Sequence, residues 1–308
     1  MTALVAVGTH VPPGRVPIES LADEFDLTPM QLRVFRRYHK LGSAAQAPDT
    51  SLTELLRLAL ADLRLTTAQT ERVRYVLYAR TFPGVVPYPH NPLHEVCRSF
   101  GLQHAQAFAV GHHACASGLL ALDLAGRLLT TAPPDALALV LTGEKAFTGE
   151  ARFVPETSMF GEGAAACLVA ATGPSDRQLS YVARLRGEFD GELEEVAGEF
   201  QRVYHDALGE AVTTAVARAG LSLDDIALIL PHNVNVVAWQ RVCKRIGYPL
   251  DRVLLDHVAD YGHVFCADAF LNHRTAVERA LLRPGDRYVI AAAGAGRGAT
   301  FSAMVFEH

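Results

Sequence analysis

Gly111-His112-His113-Ala114-Cys115-Ala116-Ser117-Gly118 is the stretch that decides how this chain is read. Ahead of it, Ala107 to Val110 has the character of a short strand; behind it, Ala116 to Thr130 has helical spacing. A strand therefore ends, small residues follow, and a helix starts at or just after Cys115. A thiol at such a junction feels the positive end of the helix dipole and unpaired N–H groups, which favour the thiolate. Small neighbours let a substrate approach the sulfur. Read alone, the segment fits a buried cysteine at a crowded helix start equally well.

Outward from this junction the same kind of unit recurs. On the N-terminal side, Ala3 to Val7 reads as a strand and Pro12-Pro13-Gly14 as a turn. Ile18 to Phe25 and Thr28 to Tyr38 have helical spacing, with Thr28 as N-cap, and Ser51 to Ala61 is an amphipathic helix. Arg74 to Ala79 is a β-branched and aromatic strand, and Thr81 to Pro92 is loop. On the C-terminal side, Ala136 to Thr142 is a buried strand, and Gly161-Glu162-Gly163 leads into the strand Ala164 to Ala170. Ala171 to Arg177 connects two halves. The order then repeats: strand Leu179 to Leu185, helix Glu199 to Ala219, strand Ile226 to Leu230, helices Val236 to Ile246 and Ala267 to Leu282. Strands Tyr288 to Ala292 and Phe301 to Phe306 close the chain. Strands alternating with helices predict a largely parallel sheet covered on both faces. The repeated order predicts a pseudo-duplicated α/β fold, with halves at 1–172 and 173–308.

Composition narrows the function. Half of the 308 residues are apolar, enough for a large core, and the net charge of −5 argues against nucleic acid as a partner. The longest apolar runs are too short to span a bilayer, and the N-terminus lacks the charge and apolar pattern of a leader, so a cytoplasmic protein is expected. Five cysteines at wide spacing, with no C-x-x-C, suggest neither a disulfide framework nor a zinc site. The adjacent His112 and His113 would point to opposite faces of a strand, so no metal site is expected there. The acidic run Glu188 to Glu199 reads as a solvated loop and helix face. No phosphate-loop, zinc-protease or G-x-S-x-G motif occurs.

Three more segments carry chemistry. In Leu230-Pro231-His232-Asn233-Val234-Asn235 a buried strand delivers His232 to a strand–helix junction, where it can donate to an acyl carbonyl or take a proton. The same segment also reads as a helix cap, with Asn233 or Asn235 as the capping residue. In Tyr261-Gly262-His263, Gly262 permits a sharp turn and His263 is a second donor, or an exposed loop histidine. Gly294-Ala295-Gly296-Arg297-Gly298 exposes backbone N–H groups suited to an oxyanion hole, or forms an ordinary hairpin.

Together these segments resemble β-ketoacyl-acyl-carrier-protein synthase III and its relatives in the thiolase superfamily. The motifs fall in the family's order: Cys115, then Gly161-Glu162-Gly163-Ala164, Pro231-His232-Asn233-Val234-Asn235, Tyr261-Gly262-His263, Pro284-Gly285-Asp286 and Gly294-Ala295-Gly296. The resemblance implies a thiolase-like fold of two βαβαβαββ halves layered α-β-α-β-α, and a homodimer. It implies that an acyl thioester on acyl carrier protein or coenzyme A acylates Cys115, with oxyanion stabilisation by backbone N–H groups of Cys115, Ala295 and Gly296. His232 and His263 complete the catalytic set, with Asn235 in support. Phe82, Phe147, Phe160 and Phe265 are candidate walls of the acyl tunnel. No cofactor is expected beyond the phosphopantetheine or CoA of the substrates.

Two positions depart from the family pattern. His263 stands where a catalytic Asn is expected, and Val236-Val237 where an Arg that contacts the carrier phosphate is common. His keeps one N–H donor but adds a base for an alcohol or amine. The favoured expectation is acyl transfer from Cys115 to a hydroxyl or amine small-molecule acceptor in specialised metabolism. Decarboxylative condensation with a malonyl thioester, of polyketide or fatty-acid type, is the alternative, and a non-catalytic partner subunit of a condensing pair is a third. The basic segment Arg33 to Lys40 fits docking of an acidic carrier protein or a solvated helix face.

Overall fold

Nine strands form one twisted sheet whose order repeats about a central seam. The computed structural model describes every residue except Met1, Val85, Tyr88, Glu150, Pro155, Glu156, Glu192 and Arg297. In the first half, strands β1 (Ala3–His10), β2 (Val73–Ala79), β3 (Gln106–Val110), β4 (Leu137–Glu144) and β5 (Gly163–Ala170) alternate with helices α1 (Leu52–Asp62), α2 (Pro92–Ser99) and α3 (Ser117–Leu129). The second half holds β6 (Arg177–Arg186), β7 (Ile226–Pro231), β8 (Arg287–Gly296) and β9 (Gly298–Glu307), with α4 (Leu193–Arg218), α5 (Val236–Ile246) and α6 (Asp268–Glu278).

The sheet order is β7-β8-β9-β6-β1-β5-β4-β2-β3, and the halves meet where Ala3 pairs with Arg177. Outward from that seam each half runs first strand, last, next to last, second. The third position is filled by β3 in the first half and by a single bridge, Val253 to Ile229, in the second. The sheet is mixed rather than largely parallel: only β2–β3, β2–β4 and β7–β8 are parallel pairs. A parallel neighbour needs a long crossover. β9 instead folds straight back from β8 through a tight hairpin, and β5 returns beside β4 with no α-helix between them among the described residues.

Five layers follow from which faces are apolar. Along β4, Ala138 and Val140 face one way while Leu137, Leu139 and Leu141 face the other, and every residue of the strand is buried. The inner face packs on α3 and α6, where Leu119, Leu122 and Phe270 join Tyr288, Ile290 and Met304 from the opposite half's sheet. The outer face of the first half is covered by Leu55, Leu56 and Val96 of α1 and α2. The outer face of the second is covered by Leu208, Val212 and Trp239 of α4 and α5. Each such side chain contributes roughly 1.5–3 kcal/mol by leaving water. This is the thiolase fold.

Local signals set most boundaries. Ser51 caps α1 by accepting from Glu54 N, and Asn235 caps α5, which stops at Gly247 in the left-handed region. Thr28 caps a helix that starts at Pro29 and widens into one π turn at Phe35–His39. Ile18 to Phe25 yields only a 3₁₀ turn at Ile18–Leu21, and the left-handed Asp26 interrupts any longer helix. Helix α2, capped by Asn91 with Pro92 in its first turn, begins where the sequence reading has loop ending.

Candidate active site

The loop that carries Cys115 is an elbow. After β3 the chain turns through Ala114, whose φ of 46° lies in the left-handed region, and a 3₁₀ turn at Ala114–Ala116 runs into α3. For a non-glycine residue this backbone costs about 1–3 kcal/mol, and it needs surroundings that enforce it. Gly294, near the end of β8, is one of them: a Cβ there would meet His113 O at 2.0 Å and Ala114 Cβ at 3.0 Å. Only glycine lets the strand lie against the elbow. Cys115 is 8% exposed. Ala295 is exposed, Gly296 pairs with Gly298 at the hairpin tip, and Arg297 lies outside the described residues.

Both histidines are buried close to one another. His232 leaves the end of β7 with its N–H on Ala291 O at 3.0 Å, and Trp239 Nε1 donates to His232 O at 2.9 Å. His263 follows Gly262 (φ 69°), and its N–H donates to Met159 O at 2.7 Å. The two rings lie 5.7 Å apart, centre to centre, at 72°. His263 is no loop histidine: it is 3% exposed and its Nδ1 forms a short hydrogen bond with Asp268 Oδ2.

Asp268, in the first turn of α6, is a buried hub. Besides His263 it accepts from Asn233 N (2.5 Å), Asn233 Nδ2 (3.2 Å) and Val264 N (2.7 Å). Asn272 Nδ2 in turn donates to Asn233 Oδ1 at 2.9 Å and to Pro231 O at 2.8 Å. One carboxylate therefore ties the two histidine-bearing loops together. Asn235 works outside this hub: its Oδ1 caps α5 through Ala238 N at 2.8 Å and its Nδ2 donates to Thr157 O at 2.7 Å.

The electrostatics divide the two histidines. Burial alone would depress His263, but the Asp268 carboxylate, followed by the Cys115 sulfur, overturns that and raises it to about 10. His232 is held well below its ordinary value, first by burial and then by the positive charge of His263. At neutral pH the pair is one cation and one neutral ring.

A second thiol and a carboxyl flank the site. Thr81 Oγ1 donates to Cys115 Sγ at 3.5 Å and lies 3.6 Å from Cys266 Sγ, which donates to Ala114 O at 3.2 Å. Burial, then the Glu144 carboxylate and Cys115, push the Cys266 thiol far above its usual range. Glu144 Oε1 accepts from Thr81 N at 2.7 Å and Phe82 N at 2.8 Å, so it shapes the loop that carries Thr81. Burial raises Glu144 to about 7.

Of the candidate tunnel residues, Phe265 packs with Cys115, Ala146 and Ala151, and Phe82 and Phe160 lie against this group. Phe82 and Phe160 stand 5.4 and 5.0 Å from Phe265, centre to centre. Phe147 is 54% exposed, so it sits at the outer edge of the cluster and is not an inner wall. On the histidine side, a cavity of about 300 Å³ is lined by Met30, Val34, Tyr204, Asn235 and Arg241 among others. Among the described residues no group of three or more His, Cys, Asp or Glu is arranged to hold a metal, and no helix is long and apolar enough to cross a membrane.

The structure thus brings Cys115, His232, His263, Phe82, Phe160 and Phe265 into one region. Sequence reasoning missed Thr81, Glu144, Tyr204 and Asp268. Asp268 had a signal, as a lone charge in the apolar run Phe265-Cys266-Ala267-Asp268-Ala269-Phe270. Tyr204 had none, being one aromatic residue on a long amphipathic helix.

Comparison with known proteins agrees with this fold. Residues 216–308 match the family described as the C-terminal part of 3-oxoacyl-[acyl-carrier-protein] synthase III. The chain is 28% identical over 285 residues to a β-ketoacyl-[acyl-carrier-protein] synthase III of Nitratidesulfovibrio vulgaris, covering 85% of this chain and 83% of that one. Among solved structures it resembles the acyltransferase ChlB3 (TM-score 0.85, 20% identity, 99% and 97% of the two chains). It also resembles the β-ketoacyl-[acyl-carrier-protein] synthase III of Thermus thermophilus (TM-score 0.82, 22% identity, 99% of both chains).

Proposed function

We propose, for a chain that is ketoacyl synthase III-like in sequence and thiolase-like in fold, that Cys115 accepts an acyl group and passes it directly to a hydroxyl or amine. The donor is an acyl carrier protein or acyl-CoA thioester, and the setting is specialised metabolism. The observation that carries this reading is the buried His263–Asp268 pair. An Asn in that position cannot take up a proton. A histidine oriented and charged by a carboxylate can shuttle a proton.

The steps follow from the geometry. The Cys115 sulfur, which lies beside the charged His263, attacks the donor's thioester carbonyl. Backbone N–H groups of Cys115 and of the Gly294–Gly296 strand end stabilise the oxyanion. His263 gives its proton to the leaving thiol of the carrier. Acylation also removes the Cys115 influence that helps to raise His263, so the neutral ring is favoured once the carrier has left. The acceptor then attacks the acyl-Cys115 carbonyl while a neutral imidazole takes its proton, and the Cys115 sulfur leaves. The carrier arm or acceptor approaches through the cavity beside Tyr204 and Arg241.

Decarboxylative condensation is the second reading. It is favoured by the convergence of two histidines, which together suit a malonyl carbonyl. Intact-protein mass spectrometry with a panel of acyl carriers, followed by malonyl carrier or by alcohols and amines, separates the two. Direct transfer predicts an adduct that is stable to malonyl carrier and discharged by an alcohol or amine. Discharge by malonyl carrier with carbon dioxide release would establish condensation instead. No adduct from any donor would point to a non-catalytic partner subunit. We also propose a homodimer: β3 is an unpaired sheet edge and carries Phe108, 38% exposed. Sedimentation would decide the assembly state.

A further inference from the structure

We propose that Tyr204 is a positioning residue: its hydroxyl fixes Nε2 of His232 as a hydrogen-bond acceptor, which readies His232 to take the proton of an incoming hydroxyl or amine. This rests on the direct-transfer reading and names the base it left open.

Tyr204 projects from α4, and its hydroxyl lies 2.7 Å from His232 Nε2. It is held there by aromatic neighbours on three sides: Phe200, Phe301 and His205 at 5.6, 6.0 and 5.3 Å between ring centres. The ring also lines the cavity, whereas Cys115, His232 and His263 do not. Tyr204 thus stands between that cavity and His232.

The direction of the bond follows from counting donors and acceptors. If Nε2–H donated to the phenol oxygen, the Tyr204 O–H would be left without an acceptor and His232 Nδ1 without a donor, both in a buried place. With the phenol donating to Nε2, the imidazole hydrogen sits on Nδ1. That leaves one buried ring N–H without an acceptor, against two unmet groups in the first arrangement. The second arrangement leaves fewer buried polar groups unsatisfied. Burial holds the Tyr204 phenol far above its ordinary range, so it keeps its proton and remains a donor.

A lone pair on Nε2 suits a substrate O–H or N–H and is wrong for a malonyl carbonyl, which needs a donor. The Tyr204 hydroxyl is therefore a stand-in for the acceptor's own. When acceptor replaces it, the acceptor's proton passes to Nε2 as its oxygen or nitrogen bonds to the acyl carbon. The carbon–sulfur bond breaks and Cys115 keeps the electron pair. The proton then moves to the neighbouring His263, which restores the starting pair. The positive His263 that depresses His232 has by then given up its proton, so His232 is a stronger base at the moment it is used.

The test is long-range ¹H–¹⁵N correlation on protein labelled with ¹⁵N-histidine, with His232 assigned by its loss in His232→Asn. In the wild type, Nε2 of His232 should resonate as an unprotonated, hydrogen-bonded ring nitrogen. In Tyr204→Phe, which keeps the ring, it should move by several ppm as the accepted bond is lost. Nε2 at the protonated position in the wild type overturns the proposal without any variant. So does an identical Nε2 resonance in wild type and Tyr204→Phe. Failure of the direct-transfer reading shows separately, as acyl-Cys115 discharged only by malonyl carrier.

Discussion

The molecule builds the same elbow twice and gives it two chemistries. In the first half, left-handed Ala114 precedes Cys115 and Ala116, and α3 follows; in the second, left-handed Phe265 precedes Cys266 and Ala267, and α6 follows. Both cysteines reach the same Thr81 hydroxyl. Yet only one faces the histidines. The Cys115 sulfur raises His263, while Cys266 points its thiol into Ala114 O and is pushed far above its usual range by burial and Glu144. A helix start and a left-handed turn therefore do not by themselves fix a thiol's surroundings. The partner across the site decides, and here the second elbow's helix supplies it as Asp268.

The comparison breaks most visibly by deleting each thiol. Cys115→Ala should abolish acyl labelling, whereas Cys266→Ala should still label, read by intact mass. Labelling of Cys266 in the Cys115→Ala protein would erase the distinction between the elbows. Asp268→Asn comes next. It keeps the size but removes the charge that orients His263, so transfer should slow by about 10²–10⁴-fold. The amide keeps one acceptor oxygen and loses the two bonds made by the other, which should also lower the melting temperature. Transfer at the wild-type rate in a folded Asp268→Asn protein would remove the carboxylate from the mechanism.

Smaller effects sharpen the same contrast. Gly294→Ala places a methyl against His113 O and should cost roughly 1–3 kcal/mol by overpacking, read by denaturant midpoint, with slower Cys115 acylation. The pH dependence of stability has a definite sign. His263 is raised from 6.5 to about 10, so its contribution is full below 6.5 and lost as pH climbs through 10. His263→Gln should flatten that decline in melting temperature. Glu144 is raised from 4.5 to about 7 by burial, so the folded state is penalised as pH rises through that window. Glu144→Gln keeps one oxygen for Thr81 N and Phe82 N, and its melting temperature relative to wild type should be higher at pH 8 than at pH 5. A parallel profile for the two proteins would show that Glu144 does not titrate there.

Much of the fold was legible because its signals are local. The strand–helix junction at Cys115, the Asn235 cap and the β4 run each depend on residues adjacent in sequence. Strand direction was less legible. Helix-bearing stretches suggested parallel neighbours, but β5 and β9 return antiparallel, and hydropathy does not record which edge a buried strand joins. The site divided the same way. Cys115, His232 and His263 stand in short motifs at element ends. Tyr204, Thr81 and Glu144 sit within a helix, a loop and a strand, and nothing around them in sequence distinguishes them.

The sequence by itself determined that a thiol stands at a helix start, that two histidines stand at loop junctions, and that two similar α/β halves carry them. These follow from periodicity and turn chemistry, which act over a few residues. Only the tertiary structure decided which partners each group has. Asp268 reaches Asn233 across 35 residues and Tyr204 reaches His232 across 28. Charge and hydrogen bonding act through space in a buried site, so His263 becomes a cation and His232 a neutral acceptor through neighbours that the chain order separates.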